Sequence, residues 1–184
     1  YTLSKKSKVF GVESPEPIIS FAEIQKRKDT IIQQLKNGLD YLLKDTDIFK
    51  ADARIISPDT IEAGSLLIKS KFILIASGSK PLDLKNLKFD GKKIVSSNEI
   101  LNIKELPASL LIIGGGVIGC EFASLFSSLG CEVTIVELTH QLLPGMDKEV
   151  ARKLESIFKR KGIKVNTQTD ESTLDLNNYE LVFI

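Results

Sequence analysis

In the second half of the chain, short apolar runs alternate with longer amphipathic stretches. Residues 110–113, 131–137, 163–167 and 180–184 have strand length and are rich in Leu, Ile and Val. Residues 117–129 and 147–161 lie between them and are long enough for helices. Gly130 closes the first of these. Asp147 stands at the start of the second and Gly162 just past its end, residue types that suit the unpaired termini of a helix. Such alternation predicts an α/β architecture, a parallel sheet with helices on its faces.

The first half reads differently. Ile24, Ile31, Leu35, Leu39 and Leu42 recur at helical intervals and predict a helix over 20–43 with that face buried. Ser20 and Glu23 have the spacing of a capping box at its start. Strands are expected at 49–56, 60–63 and 66–68, punctuated by Ser57-Pro58-Asp59 and Ala63-Gly64-Ser65. The apolar run Phe72-Ile73-Leu74-Ile75-Ala76 predicts a buried strand within 71–76, ending in the turn Ser77-Gly78-Ser79. Residues 80–95 read as a linker and 96–101 as a helical turn. Pro107 then precedes a new domain, so the expected division is 1–106 and 107–184.

Composition narrows the classes. Apolar residues make up 42% and charged residues 27%, which is ordinary for a globular protein. A net charge of +1 offers no field for nucleic acid or an anionic membrane. No apolar run approaches the length of a membrane span. Residues 1–8 are polar and lysine-rich, unlike a secretory signal. Cys120 and Cys131 make no disulfide framework, so a reducing compartment is expected, the cytoplasm or a mitochondrial matrix. The sequence opens on Tyr1 and stops within Leu181-Val182-Phe183-Ile184, so it is expected to be an internal piece of a longer protein.

The chemistry is concentrated at Gly114, Gly116 and Gly119, a G-x-G-x-x-G between a strand and a helix. Gly114 suits a sharp exit from the strand, Gly116 a close approach to a pyrophosphate, and Gly119 tight packing of helix on sheet. The helix that follows presents its unpaired N–H groups to the phosphates. Glu137 ends the next strand, 18 residues beyond Gly119. A carboxylate there accepts hydrogen bonds from an adenosine ribose diol and repels a 2′-phosphate, which favours NAD over NADP.

These residues and their flanks resemble the pyridine nucleotide–disulfide oxidoreductases. The similarity is strongest over 106–147: Leu106-Pro107, then Ile112-Ile113-Gly114-Gly115-Gly116-Val117-Ile118-Gly119-Cys120-Glu121-Phe122-Ala123, then Leu129-Gly130-Cys131-Glu132-Val133-Thr134-Ile135-Val136-Glu137 and Leu143-Pro144-Gly145-Met146-Asp147. Ile75-Ala76-Ser77-Gly78-Ser79-Lys80-Pro81 is similar to a second family segment. The resemblance implies a Rossmann-like NAD-binding domain inserted in an FAD-binding domain that is only partly present. It implies FAD and NAD as cofactors, a homodimer, and a dithiol substrate, dihydrolipoamide free or on a lipoyl domain. Mercuric or glutathione-type reduction, or a non-catalytic nucleotide-binding module, are the other readings. The family's FAD glycine loop, C-x-x-x-x-C pair and His-Pro segment do not occur in these residues, so no catalytic thiol or base is expected here. Residues 168–179 are also shorter than the strands the family places there.

Glu121, on the first turn of the glycine-loop helix, matches a family acid at the nicotinamide end. Val117 matches a residue that covers the flavin face, and is equally a packing residue. Ala53, Ser77 and Gly78 match positions near FAD. Cys120 and Cys131 lack the redox spacing and are expected as small buried hydrophobes. His140, the only histidine, has no partner indicated by spacing and is expected at the surface. No metal site is expected.

Overall fold

The computed structural model describes residues 2–13, 15 and 17–184. Its elements are α1 (Thr2–Lys5), α2 (Phe21–Leu42), β1 (Ala53–Ser57), β2 (Thr60–Ala63), β3 (Leu66–Lys69), β4 (Ile94–Val95), α3 (Ser97–Ile100), β5 (Ser109–Ile113), α4 (Val117–Leu129), β6 (Glu132–Val136), α5 (Lys148–Arg160), β7 (Lys164–Asn166) and β8 (Leu181–Phe183). They fall into two compact units, one of residues 27–80 and one of residues 1–26 with 81–184.

The 27–80 unit holds most of α2 and an antiparallel sheet in the order β1-β2-β3. β1 runs against β2 with Ala53 opposite Ala63 and Arg54 opposite Glu62. Arg54 donates from Nε and Nη2 to Glu62 Oε2 at 3.2 and 3.0 Å. Three expectations change here. The first strand begins at Ala53 and not at residue 49. The apolar stripe of α2 exists, but Ile24, Ile31, Leu35, Leu39 and Leu42 are exposed. Residues 71–76 form no strand, and Phe72 and Leu74 are about nine-tenths exposed. A strand borrows its hydrogen bonds from a neighbour, and β3 pairs only with β2.

The other unit is built on a five-stranded parallel sheet in the order β4-β8-β5-β6-β7. β5 is its centre. Leu110, Leu111 and Ile112 are fully buried, and because successive side chains of a strand point to opposite faces, this run requires both faces to be covered. On one face Leu110 and Ile112 join Phe122 and Phe126 of α4 and Phe158 of α5. On the other, Leu111 meets Val136 and Val182 beneath Leu174, Leu176 and Tyr179. These last three come from the connection between β7 and β8, which holds two short 3-10 turns, Glu171–Thr173 and Leu176–Asn178. Asp170 and Asp175 open them by accepting the N–H groups of Ser172 and Asn177. Helices were expected on both faces; a strap of irregular chain covers the second.

The sheet also begins earlier than residue 107. β4 pairs with β8, and α3, opened by a complete capping box of Ser96 and Glu99, buries Ile100 in the same core. Residues 94–95, expected at the end of a linker, therefore belong to this sheet, and α3 stands where a helical turn was expected over 96–101. Asp90 sets the approach: its carboxylate accepts the N–H groups of Lys92, Lys93 and Ile94, which hold it below the usual carboxylate range.

The Asp147 carboxylate accepts from the N–H groups of Glu149 and Val150 and so caps α5. Asp147→Ala should lower stability by about 1 kcal/mol, the usual cost of a lost N-cap. Urea unfolding checks this; an unchanged midpoint would show that α5 is held by its packing alone.

Candidate functional site

The chain leaves β5 at Gly114, whose φ of +110° lies where side chains are rarely tolerated. Its N–H donates to the Val136 carbonyl at 2.8 Å, tying the turn to the end of β6. Gly116 follows as the N-cap of α4 with φ −69° and ψ −175°, and a Cβ built there meets nothing within 4 Å. Gly116 therefore faces open space without needing a glycine's backbone freedom. Gly119 is the opposite case. A Cβ there would collide with the Gly114 carbonyl oxygen and come within 3.1 Å of Ile112 Cγ2. Of the three glycines, one makes the turn, one leaves room, and one lets helix meet strand.

Gly116 offers no side chain to cap α4. The N–H groups of Gly116, Val117 and Ile118 have no acceptor in the protein among the described residues, as is usual for the first turn of a helix. They border a cleft of about 450 Å³ whose walls include Ile113, Gly116, Val117, Ile118, Phe183 and Ile184. This cleft lies beyond the carboxyl ends of β5 and β8. From β5 the chain winds through α4, β6 and α5 to β7, then returns to the far side of β5 as β8. The gap between β5 and β8 is thus where strand order reverses, the place at which open parallel sheets bind ligands.

Glu137 follows β6 and is 6% exposed. Oε2 accepts the Gly115 N–H at 2.7 Å and Oε1 the Thr139 N–H at 2.8 Å. A carboxylate oxygen has two acceptor positions, so each retains one. Val117 opens α4 half-exposed and lines the cleft. Glu121 does not line it. It lies on the second turn of α4, exposed, where the first turn had been expected, since the helix starts at Val117 and its first turn carries no acid. Ala53, Ser77 and Gly78 are all exposed, in β1 and in the irregular stretch after β3.

Cys120 and Cys131 are buried free thiols. Burial, and then the charge of Glu137, push the Cys120 thiol up to about 11. Burial, with Glu180 and Glu132 behind it, pushes Cys131 up to about 12. Both stay protonated at neutral pH, the wrong state for a nucleophile. His140 is exposed. Among the described residues no acidic, His or Cys cluster could hold a metal, and no helix is long and apolar enough to cross a membrane.

Gly115, Leu142 and Leu143 escaped the sequence reading. Gly115 lies between the motif glycines, and a Cβ there would come within 2.6 Å of the buried Leu142 Cδ2. Leu143 holds a φ of +52° while its N–H donates to the Gly115 carbonyl at 2.7 Å. The middle glycine of Gly114-Gly115-Gly116 was a visible signal; nothing in a leucine marks a left-handed backbone.

A glycine turn and a helix start at a switch-point cleft, with a buried acid bonded to the turn, define an α/β protein of Rossmann-like fold. Comparison with known proteins gives the family. The pattern of the pyridine nucleotide-disulphide oxidoreductases matches residues 3–182, and the chain belongs to that family. It is 37% identical over 179 residues to a dihydrolipoyl dehydrogenase of Bacillus subtilis, covering 93% of this chain and 39% of that one. A dihydrolipoyl dehydrogenase of Acholeplasma laidlawii is 36% identical, with 93% and 53% covered. Among solved structures, the HOCl-induced flavoprotein disulfide reductase RclA of Escherichia coli superposes with a TM-score of 0.73 at 28% identity, over 83% of this chain and 36% of that one. The chain thus spans about two-fifths to one-half of the length of these relatives.

Raised thiol pKa values have a direct readout. In the folded protein at pH 8, Cys120 and Cys131 should react with an aromatic disulfide reagent at least about a hundredfold more slowly than in denaturant, since a rise of two units cuts the thiolate fraction about a hundredfold. Rapid labelling of either before unfolding would contradict the burial described.

Proposed function

We propose that this chain is the NAD-binding part of a flavin-dependent disulfide oxidoreductase that oxidises dihydrolipoamide to lipoamide with NAD as acceptor. The observation that carries the nucleotide choice is Glu137, a buried carboxylate fixed to the glycine loop through the Gly115 N–H. Its charge and free acceptor positions suit a ribose diol and oppose a 2′-phosphate. The open face of Gly116 leaves space for a pyrophosphate, and the α4 N–H groups supply donors for it. Val117 and Ile113 give the rest of the cleft an apolar wall that excludes water from a nicotinamide ring. Glu121 is assigned to the nicotinamide end on the strength of the family motif.

The particular dithiol rests on the dihydrolipoyl dehydrogenases among the relatives. When bound, FAD would supply the redox chemistry that links a dithiol to NAD. This chain's share is to bind, orient and shield the nicotinamide nucleotide; the thiols at Cys120 and Cys131 take no part. Ala53, Ser77 and Gly78 are assigned to the FAD side by the same motif matches. They are exposed, Ala53 in β1 and Ser77 with Gly78 in the irregular stretch after β3. A homodimer, and a free or lipoyl-domain-borne dithiol substrate, belong to the same proposal.

Titration of the full chain with NADH and NADPH tests the reading. NADH should bind at least about tenfold more tightly, on the scale of hydrogen bonds to a charged group. Equal or tighter NADPH binding would sink the assignment of Glu137. Gly116→Val should abolish NADH binding with little change in melting temperature, because the added methyls enter ligand space and the φ of −69° accepts a side chain. A folded Gly116→Val protein with undiminished affinity would reduce the loop to a structural turn.

A further inference from the structure

Both peptide planes that flank Gly115 are held by the protein. The Gly115 N–H, in the plane shared with Gly114, donates to Glu137 Oε2 at 2.7 Å. In a trans peptide the carbonyl points away from the N–H. The Gly114 carbonyl is accordingly turned toward α4, where it closes on Gly119. The Gly115 carbonyl, in the plane shared with Gly116, accepts the Leu143 N–H at 2.7 Å and the Cys120 thiol at 3.4 Å. The same rule turns the Gly116 N–H away from Leu143, and it has no acceptor of its own among the described residues.

The two anchors are themselves linked. Glu137 Oε1 takes the Thr139 N–H at 2.8 Å, at the start of the loop that carries Leu143. Leu143 keeps its φ of +52°, a conformation a leucine adopts only where its surroundings impose it. Leu142 is fully buried against Gly115. One carboxylate therefore fixes two backbone N–H groups, one on the glycine loop and one on the loop that clamps it from the other side.

We propose that Glu137 is a positioning residue for the phosphate cradle, acting through Gly115 to hold the glycine loop in its binding shape whether or not the ligand carries ribose hydroxyls. The ligand class it acts on is the pyrophosphate of a nicotinamide dinucleotide, so the inference rests on the function proposed above and deepens it. The role requires two acceptor oxygens. The amide of a glutamine offers one oxygen and turns its NH2 toward the other N–H, leaving either Gly115 or Thr139 unpaired.

The test uses two ligands on the full chain: NADH, and its analogue with 2′,3′-dideoxyadenosine, which has no adenosine diol for Glu137 to bind. Glu137→Gln should weaken the analogue about tenfold, as follows if the loop spends about a tenth of its time in the binding shape. It should weaken NADH further, because the ribose contact is also lost. In unliganded protein the Gly115 and Thr139 amides should be protected from hydrogen exchange, and protection of at least one should fall in Glu137→Gln, a local signature that a general loss of stability does not give. If Glu137→Gln does not fold, Glu137→Asp serves, since a shorter carboxylate cannot reach both N–H groups; a smaller loss of analogue affinity is expected. Analogue affinity unchanged in the folded variant, or unprotected Gly115 and Thr139 amides in the unliganded wild type, would overturn the inference and leave the dinucleotide reading standing. A wild-type chain that binds neither ligand would overturn both.

Discussion

Burial of β5 on both faces is the constraint from which the rest of the parallel-sheet unit follows. A strand with Leu110, Leu111 and Ile112 all fully buried needs neighbours on both edges and cover above and below. β6 and β8 supply the edges, α4 and α5 one cover, and the strap before β8 the other. With β5 so fixed, its carboxyl end delivers Gly114 to one place, and the turn, the helix start and the cleft are set relative to it. At roughly 25 cal/mol per Å² of apolar surface, burial on this scale outweighs any single polar contact at the site. The hydrogen bonds around Gly115 therefore refine a geometry that packing has already chosen.

Residues whose role is local were legible in the sequence. Gly114, Gly116 and Gly119 could be read because turn, open space and close packing each demand the absence of a side chain, and that demand shows as a letter. α4 was placed at Val117–Leu129 because glycines stand at both its ends. Roles that depend on distant partners were hidden. The strand β4 is two residues long, too short for any periodicity, and exists because β8 pairs with it. The apolar run at 72–76 has every local mark of a strand and no neighbour to make it one. The second cover of the sheet was hidden for a related reason: Leu174, Leu176 and Tyr179 carry no helical period, yet they seal Leu111 and Val182.

The 27–80 unit shows what the same physics does without that constraint. Its three strands pair in a regular register, but the apolar stripe of α2 and the run after β3 stay exposed. Soluble proteins seldom leave contiguous apolar surface of this kind uncovered. The contrast is one of partners and not of composition, since both units carry amphipathic or apolar segments of ordinary length.

The position of β8 bears on the order of assembly. β5 and β6 meet with Leu110 opposite Val133, 23 residues apart, whereas β5 and β8 meet with Leu110 opposite Leu181, 71 residues apart. Closing the longer loop costs more chain entropy before any contact repays it. Folding therefore favours β5, α4 and β6 as the early cluster, with β8 docking onto an edge already made and carrying β4 in behind it. The glycine turn belongs to the early cluster and the far wall of the cleft to the late one. On this route the glycine turn and the start of α4 are in place before Phe183 and Ile184 arrive to close the cleft.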